Sequence, residues 1–456
     1  MVTATQAPLG TELQSKPSEN SLPRTLGLWS ATAVVVGTIV GSGIFRVPAG
    51  VADEAGTVGS ILILWVLGGL IAICGALSLA ELAATFPNAG GMYVFLRETY
   101  GPLAAFLFGW AMLIVNPASY AAVALILAAS LSTLIPMPDS LVRWTAGASL
   151  AILVVANYRS LRFGAAIQNA ATSAKVIVLL GLAALAFAIN PGNGGALAAP
   201  IQVAPTSWAG LGIALIAVMF AYDGWQWVPQ LAAESKNPRK TLPRALGFGV
   251  GIVILLYLIT NLANLYVLSI DEIAGSSLVT SDVASRVLGR SGTSVAAALI
   301  VVATLSSNNG GFMTDPRVFY AMARDGIFFR SVAAVHTRFR TPHVAVLLIG
   351  LVAIAYLPFR NFEQLLEALI LGMWPFLALS VLGVMILRRR RPELERPFRT
   401  PGYPLVPLFF LLATVGIFVN AIVEHPLSSI VNFGILGAGI PVYYLWRMVA
   451  TARSGK

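Results

Sequence analysis

Long apolar runs are the feature of this sequence that most restricts its fold. About 20 apolar helical residues cross the hydrocarbon core of a bilayer, and only helices or closed barrels satisfy their backbone polar groups there. Twelve such runs lie between polar or proline-rich breaks: 28–52, 58–82, 94–134, 140–157, 166–189, 208–232, 244–268, 282–322, 343–358, 362–387, 404–423 and 428–449. The runs predict an all-α polytopic membrane protein with 12 transmembrane helices.

The lengths of three runs predict departures from simple spans. Runs 94–134 and 282–322 are longer than one span and should include a loop or an interfacial helix, whereas run 343–358 is short. A composition of 57% hydrophobic and 11% charged residues agrees with a membrane protein and excludes a soluble globular domain.

The distribution of basic residues predicts the orientation. The net charge of +10 does not indicate nucleic-acid binding, because the basic residues cluster in short loops between apolar runs. If the N-terminus is cytoplasmic, most of the 29 basic residues fall on that side of the membrane. The first residues are polar and lack the pattern of a signal peptide. We therefore expect a multi-pass protein of the inner (plasma) membrane with both termini cytoplasmic.

Gly41-Ser42-Gly43 interrupts the middle of the first apolar run. Each interior glycine costs a helix about 0.8–1 kcal/mol relative to alanine. The triplet therefore indicates that the helix opens and frees backbone N–H and C=O groups, which must then face protein or a cavity. A half-helix that begins there would direct its positive dipole end at a carboxylate. Close packing between helices through the two glycines is the alternative.

A second interruption lies in run 208–232, where Asp223 and Gly224 stand among Phe220, Tyr222 and Trp225. An aspartate at the centre of a span costs about 2.5–3.5 kcal/mol and normally faces a cavity. Asp223 could cap a half-helix at the break, or cap it and also contact a substrate.

The two interruptions each open a block of five spans. Broken segments at corresponding positions of two halves indicate an inverted-repeat transporter that binds its substrate where the breaks meet. The predicted organisation is a disordered cytoplasmic tail, a first repeat, a second repeat, a basic linker with the last two helices, and a short cytoplasmic tail, at 1–24, 25–190, 205–388, 389–450 and 451–456.

Four stretches resemble the amino acid–polyamine–organocation superfamily of transporters. They are GSGIF at 41–45, FPNAGGMY at 86–93, FAYDGW at 220–225 and ESKNPRKTLP at 234–243. Within that superfamily the chain is most similar to the L-amino-acid-transporter-like exchangers, to which Lys175 in the fifth run also points. The resemblance implies a five-plus-five inverted repeat with broken helices 1 and 6, two further helices and alternating access.

The resemblance also implies where a substrate binds. The α-carboxylate would lie on N–H groups of the first break, and the α-ammonium on carbonyls of both breaks. Phe220 would occupy the position of an aromatic gate. The implied substrate-binding residues are Ile39, Gly41, Ser42, Gly43, Phe220, Ala221, Asp223 and Gly224.

Lys175 has two interpretations. Its side chain could extend to the cytoplasmic interface while its stem remains in the bilayer. By resemblance it would instead bridge the first and eighth spans where sodium-coupled relatives bind sodium, which implies sodium-independent transport. In that position it could also titrate and couple transport to protons. Lys175 and Phe220 are therefore the predicted gating and coupling residues.

Two features leave alternatives open. Gln226 follows the FAYDGW motif where similar proteins often carry asparagine, so substrate specificity does not follow from the resemblance. The polar cluster at 306–311 could face the first span, or its glycine pair could only ease helix packing.

The few cysteines and histidines restrict the possible disulfides, metal sites and catalytic sites. The single cysteine, Cys74, lies in an apolar run, so we expect no internal disulfide and no disulfide-linked heavy chain. The three histidines, His336, His343 and His425, lie near loop ends without metal-ligand spacing or a catalytic constellation. We expect no enzyme activity, no metal, no cofactor and no nucleic-acid partner, and a monomer or weak homodimer in the lipid bilayer.

The sequence thus predicts a sodium-independent secondary transporter of L-amino acids that works by exchange. Neutral amino acids are favoured, with tolerance for cationic ones, because Asp223 could either hold a second ammonium or only cap the break. A proton-coupled symporter of amino acids or polyamines is one alternative. An amino acid sensor on the same scaffold is another.

Overall fold

The computed structural model describes residues 22–189, 195–198, 202–203, 207–358, 362–424 and 426–454. Within these ranges the chain is helical apart from loops and one isolated backbone bridge between Leu26 and Ser235. The α-helices are α1 Leu28–Ile39, α2 Gly43–Ala55, α3 Val58–Thr85, α4 Met92–Tyr100, α5 Pro102–Leu134, α6 Asp139–Arg159, α7 Leu161–Ile189, α8 Trp208–Ala221, α9 Pro238–Val267, α10 Ile270–Ala274, α11 Val279–Leu288, α12 Arg290–Thr314, α13 Pro316–Arg324, α14 His343–Tyr356, α15 Phe362–Arg390, α16 Leu405–Glu424 and α17 Pro426–Ser454. Three 3₁₀ helices span Gly195–Ala198, Trp225–Glu234 and Arg330–Ala333.

The membrane-length helices confirm the predicted fold class. The described residues contain 10 helices long and apolar enough to cross a membrane, or 11 when the bent pair α1 and α2 is one span. Helix α14, which corresponds to the short run 343–358, is apolar but has only 14 residues. The count of twelve spans therefore stays a prediction.

The two long runs contain additional helices, as predicted. Run 94–134 includes most of α4 and all of α5, which are separated by Gly101 at a φ of 93°. Run 282–322 begins inside α11 and continues into α12 after Gly289, whose φ is 59°. Glycine suits both positions because other residues rarely adopt a positive φ.

The first break separates α1 from α2, which are bent by 44° relative to each other. The helical hydrogen bonds of α1 end at Val40, whose N–H donates to the Val36 carbonyl at 2.9 Å. Gly41 then turns the chain, its N–H donating to the Ile39 carbonyl at 2.8 Å. The sequence prediction of an open first helix is confirmed.

The second break follows α8, which ends at Ala221. Residues 222–224 form a turn in which Gly224 has a φ of 128°. The chain continues as the 10-residue 3₁₀ helix Trp225–Glu234, which contains Pro229. Runs of 3₁₀ helix beyond 3–4 residues are uncommon, and proline removes a backbone donor. The second half of this span therefore differs from the α-helix that the apolar run suggests.

Packing places both breaks inside the bundle. Helix α1 contacts α7, α9 and α12, and the 3₁₀ helix Trp225–Glu234 contacts α1, α3, α9 and α12. Helices α16 and α17 lie on the outside, where Leu412 is 65% exposed and Ile430 is 70% exposed. Such apolar exposure is expected for a surface covered by lipid.

The end of the bundle that carries Lys236, Arg239, Lys240, Arg244, Arg317 and Arg388, which we call the arginine-rich face, is closed by ion pairs. Glu234 and Arg317 form a buried bidentate pair with distances of 2.7 and 2.8 Å. Glu81 of α3 accepts from Arg388 at 2.6 and 2.8 Å and from the Thr400 N–H at 2.7 Å. Glu81 thus holds the end of α15, through Arg388, and the segment after it, through Thr400, against the end of α3.

Candidate functional site

A cavity of about 110 Å³ lies where the two breaks cross. Four parts of the chain form its walls: the first break, the second break, the middle of α5 and the middle of α12. The lining residues are Thr38, Ile39, Gly41, Ser42, Gly43, Asn116, Ser119, Tyr120, Ala122, Val123, Phe220, Asp223, Gly224, Trp227, Ser307, Asn308 and Gly311. All the predicted substrate-binding residues except Ala221 line this cavity.

Two glycines allow the breaks to touch backbone to backbone. A β-carbon added to Gly43 would lie 2.9 Å from the Ala221 Cα, and one added to Gly224 would lie 2.8 Å from the Thr38 carbonyl carbon. Both distances are shorter than real β-carbon contacts. The Thr38 hydroxyl also donates to the Gly224 carbonyl at 3.2 Å. Ala221 therefore lies beneath Gly43 rather than at the cavity surface.

The N-terminus of α2 forms one wall of the cavity. Ser42 is the N-cap residue, but its side chain makes no capping hydrogen bond, and the first turn of α2 contains no acidic residue. The first N–H groups of a helix lack intrahelical acceptors and carry partial positive charge. This wall therefore suits a carboxylate.

Asp223 and Gln226 organise the opposite wall. The Gln226 amide donates to the Asp223 carboxylate at 2.6 Å, and its oxygen accepts from the Gly224 N–H at 3.0 Å. The side chain that satisfies the N–H of the broken turn is thus Gln226, and Asp223 remains at the cavity surface. Gln226 therefore positions the carboxylate of Asp223.

The carbonyls of Ile39 and Ala221 share a donor from α9. The Tyr257 hydroxyl lies 3.1 Å from the Ile39 oxygen and 2.9 Å from the Ala221 oxygen. A carbonyl oxygen has two lone pairs. The Ala221 oxygen can therefore accept a further hydrogen bond, whereas the Ile39 oxygen also accepts from the Gly41 N–H at 2.8 Å. Tyr257 was not evident from the sequence, because a tyrosine in an apolar run has no pattern that marks it.

Lys175 lies inside the bundle with an exposure of 0%. Its ammonium donates to the carbonyls of Gly37 at 2.8 Å and Val40 at 2.5 Å, and to the Ser306 hydroxyl at 3.1 Å. The two carbonyls belong to the C-terminal end of α1, where the helix dipole favours a cation. The side chain thus connects α7 with α1 and α12 and does not extend to an interface.

The polar cluster of α12 does both things that the sequence left open. Ser306 accepts from Lys175, and the Ser307 hydroxyl donates to the Thr38 carbonyl at 3.5 Å, so the cluster faces the first span. The glycine pair also eases packing, since β-carbons at Gly310 and Gly311 would collide with side chains of α1 and α5.

Asp315, at the junction of α12 and α13, is a buried carboxylate that was not among the residues predicted from the sequence. It accepts from the Asn116 amide at 2.8 Å, from the Tyr120 hydroxyl and from the Thr314 hydroxyl at 3.2 Å. The Asn116 amide oxygen has no hydrogen-bond partner among the described atoms. Like Asp223, Asp315 is an acid inside an apolar run, and that signal could have identified it.

The cavity wall formed by Asn116 and Tyr120 is rich in hydrogen-bond acceptors. Asn116 and Tyr120 line the cavity and give their donors to Asp315, which lies behind them. Their remaining oxygen lone pairs, together with the Asp223 carboxylate, are available to hydrogen-bond donors in the cavity. The first break thus suits an anion and the opposite walls suit donors or a cation.

Comparison with known proteins places the chain among amino acid transporters. The profile described as amino acid permease matches residues 26–445. The chain is similar to the serine/threonine exchanger SteT of Bacillus subtilis, with 31% identity over 93% of this chain and 97% of that protein. It is also similar to the human b(0,+)-type amino acid transporter 1, with 31% identity over 90% of this chain and 85% of that protein. It is similar as well to the human cystine/glutamate transporter, with 30% identity over 93% of this chain and 85% of that protein.

Proposed function

The chain belongs to the amino acid permease family, and we propose that it is a sodium-independent exchanger of L-amino acids. The observation that carries the proposal is the cavity itself, in which an open helix N-terminus faces a wall of acceptors. An α-amino acid carries one anionic and one cationic group on the same carbon, and this arrangement offers a place for each. The names of the similar proteins, one of them a serine/threonine exchanger, support the same activity.

In the proposed complex the α-carboxylate accepts from the N–H groups of Ser42 and Gly43. The α-ammonium donates to backbone carbonyls of the breaks, and Phe220 closes the cavity. A cavity of about 150 Å³ holds benzene, so the volume of about 110 Å³ favours small substrates. Small neutral amino acids with a hydroxyl fit both the size and the acceptors.

Lys175 supports sodium independence. Its ammonium already holds two carbonyls at the end of α1 and a hydroxyl of α12, which are the oxygen ligands that a small cation would need. A tethered cation at this place stabilises the broken helix without a dissolved ion. We therefore propose that Lys175 replaces a coupling ion.

We propose the repeat organisation, membrane orientation and oligomeric state that the amino-acid sequence predicts. The repeats at 25–190 and 205–388 would alternate between states open to each side, with both termini cytoplasmic in the plasma membrane. Cys74 is buried in α3, and a thiol in this position is unsuited to a disulfide with a heavy chain. The protein would act as a monomer or weak homodimer.

The experiment that tests the function is uptake of labelled amino acids into proteoliposomes in sodium-free buffer. We expect unlabelled serine, threonine or alanine inside the vesicles to stimulate uptake, and replacement of potassium by sodium to have no effect. An uptake rate that is the same with and without internal amino acid would contradict exchange.

A proton-coupled symporter is the second candidate. It is favoured by two carboxylates, Asp223 at the cavity surface and Asp315 behind the cavity wall, that have no ion-pair partner among the described residues. In the same vesicles, uptake driven by an imposed proton gradient without internal amino acid would support this function in place of exchange.

Asp315→Asn should raise the KM for substrates whose side chains carry a donor. The Asp315 carboxylate accepts from the Asn116 amide and the Tyr120 hydroxyl. Without the charge, this N–H and this O–H can turn toward the cavity and compete with the donors of the substrate for the acceptors there. A hydrogen bond between neutral groups contributes about 0.5–1.5 kcal/mol, so we expect the KM for serine to rise about 2- to 10-fold.

Alanine, which lacks a side-chain donor, should be affected less than serine by the same substitution. The matched control is Asp282→Asn, which removes an exposed carboxylate that accepts from the Ser276 hydroxyl, away from the cavity. Equal loss for serine and alanine would show that Asp315 has only a structural role.

A further inference from the structure

A second cavity, of about 660 Å³, opens on the outside of the bundle where the N-terminal end of α9 passes α3. We call it the α9 groove. Its walls are formed by α3, by the first three turns of α9 and by the segment that follows α15. The residues that give the groove its charge and shape are Leu77, Arg239, Lys240, Arg244, Gly247 and Phe248.

The α9 groove is cationic at one end and apolar at the other. Lys240 and Arg244 are exposed and lie one turn apart on the same side of α9, with Arg239 beside them. One turn deeper, Phe248 is 53% exposed, followed by Ile252 at 37% and by Leu255 at 63%. The cations lie on the arginine-rich face, and the apolar stripe runs from there into the lipid-facing surface.

The positions of the cations are unfavourable for the helix alone. They occupy the first two turns of α9, where the dipole disfavours positive charge, and this first turn contains no acidic residue. Like charges at i and i+4, such as Lys240 and Arg244, also destabilise a helix. Arg239 pairs with Glu395 at 3.0 Å, but both side chains are well exposed, so this pair contributes little. An anion bound between the cations would relieve both effects.

Glycines leave room for a chain beside the cations. A β-carbon at Gly247 would meet only the Leu77 side chain, at 3.9 Å, and one at Gly251 would have nothing within 4 Å. Pro397 and Phe398 lie across the groove from α9. The open space therefore continues from the cations along α9 toward the bilayer interior.

We propose that the α9 groove binds an anionic phospholipid. Its phosphate would lie between Lys240 and Arg244, and one acyl chain would lie along Gly247 and Phe248. Basic pockets between helices at the cytoplasmic surface commonly bind such headgroups. Inorganic phosphate would satisfy the cations but leave the apolar part empty, and a zwitterionic lipid would bring its own ammonium to the cations.

The occupant would bridge three elements. The groove joins α9, α3 and the segment after α15. Glu81 of α3 already holds that segment through Thr400 and the end of α15 through Arg388. A ligand that binds this arrangement stabilises it by mass action. The lipid should therefore raise the thermal stability of the purified protein.

The test is a thermal-unfolding titration of the purified, delipidated full chain in detergent. The probes are dioleoyl-phosphatidylglycerol, dioleoyl-phosphatidylcholine and sodium phosphate. We expect saturable stabilisation by phosphatidylglycerol alone. Equal stabilisation by phosphatidylcholine would overturn the role of the cations, and equal stabilisation by phosphate would overturn the lipid by showing an anion site that needs no acyl chain.

Two variants and one control locate the effect. Each cation near an anionic lipid contributes about a fivefold change in affinity, so Lys240→Gln with Arg244→Gln should weaken phosphatidylglycerol binding about 30-fold. Gly247→Leu keeps every charge and fills the groove, and it should weaken binding as well.

The control is Arg159→Gln with Arg162→Gln, which removes two exposed cations that do not line the groove. It should leave phosphatidylglycerol binding unchanged. An equal loss in the control would indicate general surface attraction and would overturn the site.

Discussion

Alanine in place of Gly224 should abolish amino acid exchange. The backbone at Gly224 has a φ of 128°, which residues with a β-carbon rarely adopt. The added methyl group would also lie 2.8 Å from the Thr38 carbonyl carbon, so the two breaks would have to separate. Since the cavity is formed by their contact, we expect exchange in proteoliposomes to fall to the level of empty vesicles.

Gly43 supplies the reciprocal test and Gly50 the control. Gly43→Leu places a side chain against Ala221 and across the cavity, and should be equally inactive. Gly50 lies in the same helix as Gly43, but a β-carbon there has nothing within 4 Å. Gly50→Ala should therefore transport normally. An active Gly43→Leu variant would remove the first break from the proposed binding site.

Lys175→Ala should slow exchange about 10- to 100-fold while the protein still folds. The substitution leaves the carbonyls of Gly37 and Val40 without their charged donor at the end of α1. A hydrogen bond from a charged group contributes about 1.5–3 kcal/mol, which sets the expected range if the loss falls on the transport cycle. The measurement is the initial rate of serine counterflow, with thermal unfolding and monodispersity as checks on folding.

Lys236→Ala removes an exposed lysine from the arginine-rich face and serves as the control. It should leave the counterflow rate unchanged. A Lys175→Ala variant that exchanges serine at the normal rate at every pH would contradict both the ion-replacement role and a role in proton coupling. The counterflow rate of Lys175→Ala should be measured in sodium buffer and in potassium buffer, because a sodium ion could occupy the place of the missing ammonium.

The breaks were predictable because they conflict with their surroundings. Glycine and aspartate are costly in the middle of an apolar helix, so Gly41, Gly43, Asp223 and Gly224 indicate openings from the amino-acid sequence alone. The contact between Gly43 and Ala221 was not predictable, since it depends on how two distant segments cross. The same limit explains why Ala221, expected among the cavity residues, lies behind Gly43.

The environment of single polar residues was harder to predict. Lys175 has the same sequence context whether it reaches an interface or bonds to α1, and only the packing of α7 against α1 and α12 distinguishes the two. Tyr257 and Asn116 carry no signal of their own, because their roles depend on partners that are far away in sequence. The 3₁₀ form of Trp225–Glu234 likewise follows from local geometry that hydrophobicity does not encode.

The backbone contact between the two breaks has a mechanical consequence. Side chains between two segments can change rotamer and absorb a shift, but Gly43 and Gly224 place main chain directly against main chain. We therefore expect the two broken spans to rotate together as one rigid body if the protein alternates between two states. Flexing should occur instead where this body meets its neighbours, and a bound amino acid would keep the same surroundings as the gates on either side open in turn.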